Sequence, residues 1–295
     1  MNQTEAKKWF LKCLAGLGLL LALTAAIVIL VDPYFHYHKP FPFFSYRLYQ
    51  ERYINDGISR HFDFDALITG TSMAQNFKPS QVDALFGTNC VKETFSGAGY
   101  QEISENLDRA LSRNKELKTV IWALDYNGFF REYDWVQYED YPTYLYDENP
   151  FNDVSYLFNK AILYHGVLAN VAATLSGSPS TTMDEYSSWQ QETGLDRILL
   201  SYDRDHVDMN DPTDFGEEER RAVTETITLN VVNVVNKYPD TVFYIFYPPY
   251  SICYWDALNL KGTLSRQLMA EQTATELLLA CPNVKLYNFF DQYEV

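Results

Sequence analysis

Cysteine is scarce in this chain, with four among 295 residues. There is no Cys-x-x-Cys pair and no cysteine–histidine spacing of the kind that binds zinc, so the sequence argues against a zinc site. Three of the four, Cys90, Cys253 and Cys281, follow the apolar N-terminal segment. Because three is an odd number, at least one of these thiols has no partner for a disulfide.

Basic residues are also few. The chain has 23 lysines and arginines against 39 aspartates and glutamates, a formal net charge of −16. Such a surface repels phosphate backbones, so nucleic acid is excluded as a partner. Nor is there a polybasic patch to bind anionic lipid. The acidic excess by itself indicates solubility rather than a specific partner.

Histidine occurs only five times, and none follows His206. His36 and His38 share one side of an extended segment, but no third ligand lies near them in sequence, so neither a metal nor another cofactor is expected. His165 lies in an apolar helical pattern and is expected in a core or an interface. His61 precedes the first predicted strand.

One long apolar run is present near the N-terminus. Residues 14–31 contain no charged side chain and are long enough to cross a hydrocarbon core. Lys7, Lys8 and Lys12 precede the run, which predicts a cytoplasmic N-terminus and an extracytoplasmic remainder. The alternative is a cleavable signal peptide, but the run is longer than usual and has no clear small-x-small cleavage site. We therefore expect a single-pass anchor in the bilayer, and the low cysteine content of the exported part fits a bacterial surface.

Three regions are predicted from these patterns: a tip and anchor over residues 1–31, a juxtamembrane segment over 32–61 and an extracytoplasmic domain over 62–295. Short apolar runs predict strands near 62–70, 90–96, 119–125, 241–249 and 284–290. Helical patterns alternate with them, which predicts a doubly wound, mostly parallel five-stranded α/β sheet of the flavodoxin-like type. An irregular, aromatic-rich insert is predicted at about 126–215.

Ligands of such sheets bind beyond the carboxyl ends of the strands. Ser72 follows the first strand and is a candidate nucleophile. Gly97 follows the second, where a backbone amide can approach a substrate closely. Asn127 follows the third and can donate a side-chain N–H to an oxyanion. Each segment is also compatible with an ordinary turn.

Taken together, these strand ends resemble the SGNH (GDSL-like) hydrolase superfamily. Ser72 matches the nucleophile of its first block, with Thr71 in place of the usual aspartate. Gly97 matches the glycine of the second block. Asn127 matches the asparagine of the third, with Leu-Asp-Tyr-Asn standing for Leu-Gly-x-Asn. The resemblance implies an oxyanion hole formed by the serine amide, the glycine amide and the asparagine side chain.

An N-terminal anchor joined to such a domain is also similar to the membrane-anchored proteins of teichoic-acid D-alanylation and of acyl modification of surface polysaccharide. This resemblance implies ester hydrolysis or acyl transfer at the cell envelope. The implied partners are envelope glycan or teichoic acid and a membrane acyltransferase. The alternative function is a catalytically inactive surface protein that binds glycan or assists such an acyltransferase.

The family's last block, Asp-x-x-His, has no counterpart before Val295. We expect it to lie beyond Val295 in a longer chain, so that the printed chain alone is inactive. His206 is the substitute base within the chain. Tyr250 and Trp255 follow the fourth strand and are candidates for an aromatic wall against a sugar or an acyl chain, or for simple packing around a proline turn.

Overall fold

The computed structural model describes residues 2–138, 141–189, 197, 202, 204 and 207–289. The protein divides into two compact units. The first consists of Met1–Phe62 and Tyr141–Thr182, and the second of Asp63–Asp140 and Met183–Val295. The predicted insert is therefore divided between the two units.

The elements follow in chain order. The described helices are α1 (Gln3–Val31), α2 (Glu51–His61), α3 (Pro79–Phe86), α4 (Tyr100–Arg113), α5 (Val154–Leu157), a π-helical segment (Ile162–Leu168) that continues into α6 (Ala169–Leu175), α7 (Glu217–Ile227), a second π-helical segment (Thr228–Val232) that continues into α8 (Asn233–Lys237), α9 (Ile252–Leu260) and α10 (Leu264–Leu279). The strands are β1 (Ala66–Gly70), β2 (Cys90–Thr94), β3 (Thr119–Ala123), β4 (Val242–Tyr247) and β5 (Val284–Asn288).

The first unit contains the apolar helix α1, whose 29 residues extend about 44 Å. Asn2 and Glu5 form a capping box at its start, which satisfies two of the backbone N–H groups that a helix leaves unpaired. It ends at Val31, and the next residue, Asp32, adopts a left-handed conformation. Only Val28 and Val31 are buried. By length and composition α1 is a candidate membrane span, as predicted; its topology in a membrane stays a prediction.

The second unit contains the predicted fold: one five-stranded sheet, all parallel, in the order β2-β1-β3-β4-β5. Alternate residues of its strands face opposite sides. Val120, Trp122 and Phe243 lie on one side and are fully buried. Ile68, Ala123 and Phe246 lie on the other, in a cluster with Val82 of α3. From β1 the chain adds β2 on one side and then crosses back to add β3 on the other, so the switch point of the sheet lies between β1 and β3, where such sheets bind ligands.

Two helices differ from the sequence expectation. The pattern over 260–280 predicts one helix, which α10 confirms, but α9 precedes it as a separate helix that the sequence did not predict. Gly262 lies between them at φ +70, and a Cβ there would come within 2.3 Å of the Asp211 carbonyl, so the break needs glycine. The pattern over 153–175 also predicts one helix, whereas α5 ends at Leu157 and helical structure resumes at Lys160.

Candidate functional site

The three predicted strand ends lie side by side. Gly70, the last residue of β1, pairs with Thr94 at the end of β2 and with Ala123 at the end of β3. Because parallel strands in register end at the same edge, the segments that follow them start together. The loops that carry Ser72, Gly97 and Asn127 therefore leave one edge of the sheet from neighbouring positions.

Ser72 begins a single turn of 3-10 helix, Ser72–Ala74. The side chain of Thr71 caps this turn by accepting a hydrogen bond from the Met73 N–H at 3.3 Å. The Ser72 carbonyl accepts a hydrogen bond from the indole N–H of Trp189 at 3.1 Å. Ser72 is half-buried, and its hydroxyl has no hydrogen-bond partner among the described residues. The loop is thus fixed through its backbone, while the hydroxyl remains available.

Gly97 has φ +68, a conformation that favours glycine. A Cβ at this position would come within 3.2 Å of the Gln137 side chain, which is tighter than ordinary contact. Its carbonyl accepts a hydrogen bond from the guanidinium of Arg131 at 2.9 Å, and that guanidinium stacks on the Trp135 ring at 3.7 Å. Arg131 therefore fixes the carbonyl side of this loop.

Asn127 lies in a second 3-10 turn, Tyr126–Gly128, at the end of β3. Its side chain is exposed, and one amide N–H donates to the Tyr250 hydroxyl at 3.0 Å. The Tyr250 hydroxyl in turn donates to Asp125 at 2.6 Å. Burial, followed by the nearby Asp125 carboxylate, raises the pKa of Tyr250, so this phenol stays protonated and remains a donor. The orientation of the Asn127 amide thus depends on Tyr250.

Asp125 is the centre of the arrangement and is buried. One carboxylate oxygen accepts from the Thr71 hydroxyl at 2.5 Å, and the other accepts from the Asn127 backbone N–H at 3.0 Å and from Tyr250. The Asp125 backbone carbonyl accepts from the Tyr100 hydroxyl at 2.5 Å. One carboxylate therefore joins the loop after β1, the loop after β3 and the loop after β4.

The two predicted aromatic residues differ in exposure. Tyr250 is half-buried, whereas Trp255 is only 7% exposed. The Trp255 ring packs edge-on against Tyr126 with the centroids 5.0 Å apart. This burial favours packing for Trp255, and the contacts of Tyr250 place it directly beside Asn127. Their proposed contact with a substrate stays a prediction.

No described imidazole is hydrogen-bonded to Ser72. His206 lies outside the described residues, and the other four histidines belong to the first unit. His36 contacts Asp153 at 3.1 Å, and both ring nitrogens of His38 face backbone carbonyls. Burial lowers the pKa of His61. His165 is exposed, so it is not a core residue. The described residues contain no cluster of three or more side chains suited to a metal ion.

A carboxyl group with a shifted pKa lies on α10. Glu271 is buried, and burial raises its pKa from 4.5 to about 7. Asn288, at the end of β5, donates to one of its oxygens at 2.5 Å. The interaction of the Glu271 carboxylate with Tyr126 and Tyr247 raises the pKa of both phenols further. Near pH 7 the Glu271 carboxyl is therefore protonated in part of the molecules and ionised in the rest. It lies on the β4–β5 side of the sheet edge at which the strands end.

An open apolar pocket of about 390 Å³ lies between α3 and the side of the sheet that carries Phe246. Phe77 and Phe246 pack together there with their ring centroids 5.2 Å apart. Phe77 is five residues beyond Ser72, and Phe246 is next to the last residue of β4. The pocket therefore borders the loop that carries the candidate nucleophile.

Sequence reasoning overlooked the role of Asp125 and its partner Thr71. A signal was present in the resemblance to the SGNH superfamily, from which Thr71 departs by replacing an aspartate and Asp125 by replacing a glycine. The structure shows that these two departures contact each other. Glu271 and Trp189 gave no such signal, because a glutamate in a helix and a tryptophan in a loop are ordinary.

No protein-family model, no curated protein and no solved structure matches the chain, so the argument for a function depends on the geometry of the strand ends.

Proposed function

We propose that this chain is a membrane-anchored, extracytoplasmic SGNH-like esterase or O-acyltransferase that acts on cell-envelope polysaccharide or teichoic acid. The observation that supports this proposal is the shared register of three neighbouring strand ends, followed by Ser72, Gly97 and Asn127. Attack on an acyl carbonyl needs a nucleophile, a base and donors to the oxyanion, and these strand ends offer the nucleophile and the donors.

In the proposed reaction the Ser72 oxygen attacks the acyl carbon and forms an ester, and the donor alcohol leaves. The backbone N–H of Gly97 and the side-chain N–H of Asn127 stabilise the negative charge on the carbonyl oxygen. Water or a sugar hydroxyl then takes the acyl group from Ser72. The serine proton passes to a base, for which His206 is the candidate within the chain, and the base then gives it to the departing alcohol.

Asp125 is a positioning residue in this scheme. Through Thr71 it holds the loop of the nucleophile, and through Tyr250 it orients the Asn127 amide. A carboxylate that bridges the two loops limits their relative motion. That restraint matters because an oxyanion donor acts only when it is already in place.

Labelling with a fluorophosphonate probe tests the proposal. The full chain in its membrane should react, and Ser72→Ala should abolish the reaction. Ser96→Ala is the matched control, since Ser96 follows the end of β2 and is exposed; it should label as the unmodified chain does. Labelling that persists in Ser72→Ala, or is lost equally in both variants, would contradict the assignment. His206→Ala shows whether His206 is the base.

The second candidate function is an inactive surface protein that binds glycan or assists a membrane acyltransferase. The observation that favours it is that the Ser72 hydroxyl contacts no described imidazole. A chain that resists the probe but binds purified envelope glycan, with weaker binding after Tyr250→Ala, would support this function over the first.

A further inference from the structure

A 14-residue helical element of the first unit is apolar on both sides. It consists of the π-helical segment Ile162–Leu168 and α6, and it is too short to cross a membrane. Ile162, Val167 and Ala173 are buried in the unit. On its outer side, exposed apolar residues recur at spacings of four and seven: Tyr164, Leu168 and Leu175, with exposed fractions of 59%, 52% and 84%. A soluble helix normally has a polar outer face.

The first half of this element lies against the end of α1. Gly166 is so close to Pro33 that a Cβ would come within 2.7 Å of the proline ring. Pro33 is two residues beyond Val31, the last residue of α1. The π-helical segment also packs against α1 itself. If α1 spans a bilayer, the chain connection places this helix at the level where the span ends.

The second half is fixed to the same region. The Ser45 backbone N–H donates to the side chain of Thr174 at 2.9 Å, next to Leu175. Pro33 and Ser45 thus contact the two halves of the helical element, and its first half packs beside the end of α1.

An exposed phenylalanine lies in the segment between these two attachments. The His38 ring contacts the Ile29 carbonyl of α1 at 2.8 Å, and Phe41 packs on His38 with the centroids 4.4 Å apart. Phe43 stacks on Phe41 at 5.1 Å and is 66% exposed. Aromatic residues at this level are typical of the membrane–water interface.

We propose that Phe43, Tyr164, Leu168 and Leu175 form a lipid-contact surface that seats the first unit in the interface of the bilayer, on the side where α1 ends. The occupant is lipid because Phe43, Leu168 and Leu175 are exposed and apolar, and because the surface is attached at two points near the end of a candidate span. The one ammonium beside it, Lys160 at 6.0 Å from the Tyr164 ring, suits the lipid headgroups. This inference rests on the proposed membrane anchoring. It adds a second membrane contact to the single anchor.

Spin-label accessibility tests the surface in the full chain, reconstituted in vesicles of phosphatidylcholine and phosphatidylglycerol. Cys13, Cys90, Cys253 and Cys281 are first replaced by serine or alanine. Nitroxides are then placed singly by Leu168→Cys, Leu175→Cys, Leu20→Cys and Leu279→Cys. Leu20 lies in the middle of α1, and Leu279 is an exposed leucine of α10 in the second unit.

The label at Leu168 and the label at Leu175 should lose collisions with a water-soluble nickel chelate and keep collisions with oxygen. Their depth should fall between those of the Leu20 and Leu279 labels. If they match Leu279 while Leu20 is in lipid, the surface is wrong and the anchor stands. If Leu20 also matches Leu279, the anchoring itself fails. Shielding from both reagents would indicate a protein contact and overturn lipid as the occupant.

Discussion

Each unit contains a buried carboxylate with several hydrogen-bond donors, Asp32 in the first and Asp125 in the second, and the two differ in where their partners lie. In the first, Asp32 is fully buried and accepts three backbone N–H groups, from His36, Tyr37 and His38, and the Tyr156 hydroxyl. In the second, Asp125 also bonds several donors, but its partners lead outward to the exposed Asn127. The first network closes the end of α1, whereas the second positions groups at an accessible edge.

This difference shows that residue type alone is a poor guide to function here. Four of the five histidines belong to the first unit, and His36 and His38 there serve to bind an aspartate and backbone carbonyls. The candidate chemistry lies in the second unit, in serine, asparagine and glycine residues that are individually common.

The largest effect expected within the first unit comes from Asp32→Ala. The substitution leaves three backbone N–H groups and one phenol without their acceptor, and should lower the free energy of unfolding by about 4 kcal/mol. Denaturation in detergent, with hydrogen exchange read over residues 32–62, measures it. Tyr156→Phe removes one donor to Asp32 and the acceptor of the Tyr34 backbone N–H, and should cost about 2 kcal/mol. If Asp32→Ala and Tyr156→Phe lowered the free energy of unfolding equally, the Asp32 carboxylate would not be the centre of a closed network, and its contrast with the open network of Asp125 would fail.

The next effect depends on pH and belongs to the second unit. The pKa of Glu271 is raised from 4.5 to about 7 in the folded state, so its stabilising contribution is full below pH 4.5 and is lost as the pH rises through 7. Glu271→Gln should remove this loss, which amounts to up to about 3 kcal/mol. Tryptophan fluorescence during urea unfolding at pH 5 and pH 8 measures it. If the free energy of unfolding had the same pH dependence in the unmodified chain and in Glu271→Gln, Glu271 would not be the group responsible.

The smallest expected effect concerns the open network of Asp125, which leads through Tyr250 to the exposed Asn127. Tyr250→Phe removes the donor to Asp125 and the acceptor of the Asn127 amide, at a cost of about 1 kcal/mol in stability. If Asn127 is an oxyanion donor, probe labelling of Ser72 should slow by more than this loss of stability explains. Tyr254→Phe is the control, because it keeps both hydrogen bonds. Unchanged labelling would argue that Asn127 acts without Tyr250.

Much of the second unit could be predicted from the sequence. The runs at 62–70 and 119–125 contain β1 and β3 because an apolar run of that length, buried on both sides, forms a parallel strand. The strand ends then predicted which loops meet. The bond between Thr71 and Asp125 was not predictable, since it joins residues 54 positions apart that only the register brings together.

The first unit was harder to predict. Its aromatic segment at 32–46 has no regular period, and its packing depends on close contacts such as Gly57 with the Tyr34 carbonyl, where a Cβ would come within 2.0 Å. Such contacts follow from the folded shape. The scarcity of histidine likewise gave no sign that four of the five histidines would lie in one unit.

By itself the sequence determined the apolar helix α1, the five parallel strands and the candidate residues at their ends, because hydrophobic period and chain order are local properties. Only the tertiary structure decided that Asp125 joins three loops, that Trp255 is buried and that the helical segment Ile162–Leu168 packs against α1. Those features depend on which distant segments meet, and contact between distant segments is fixed by packing rather than by local pattern.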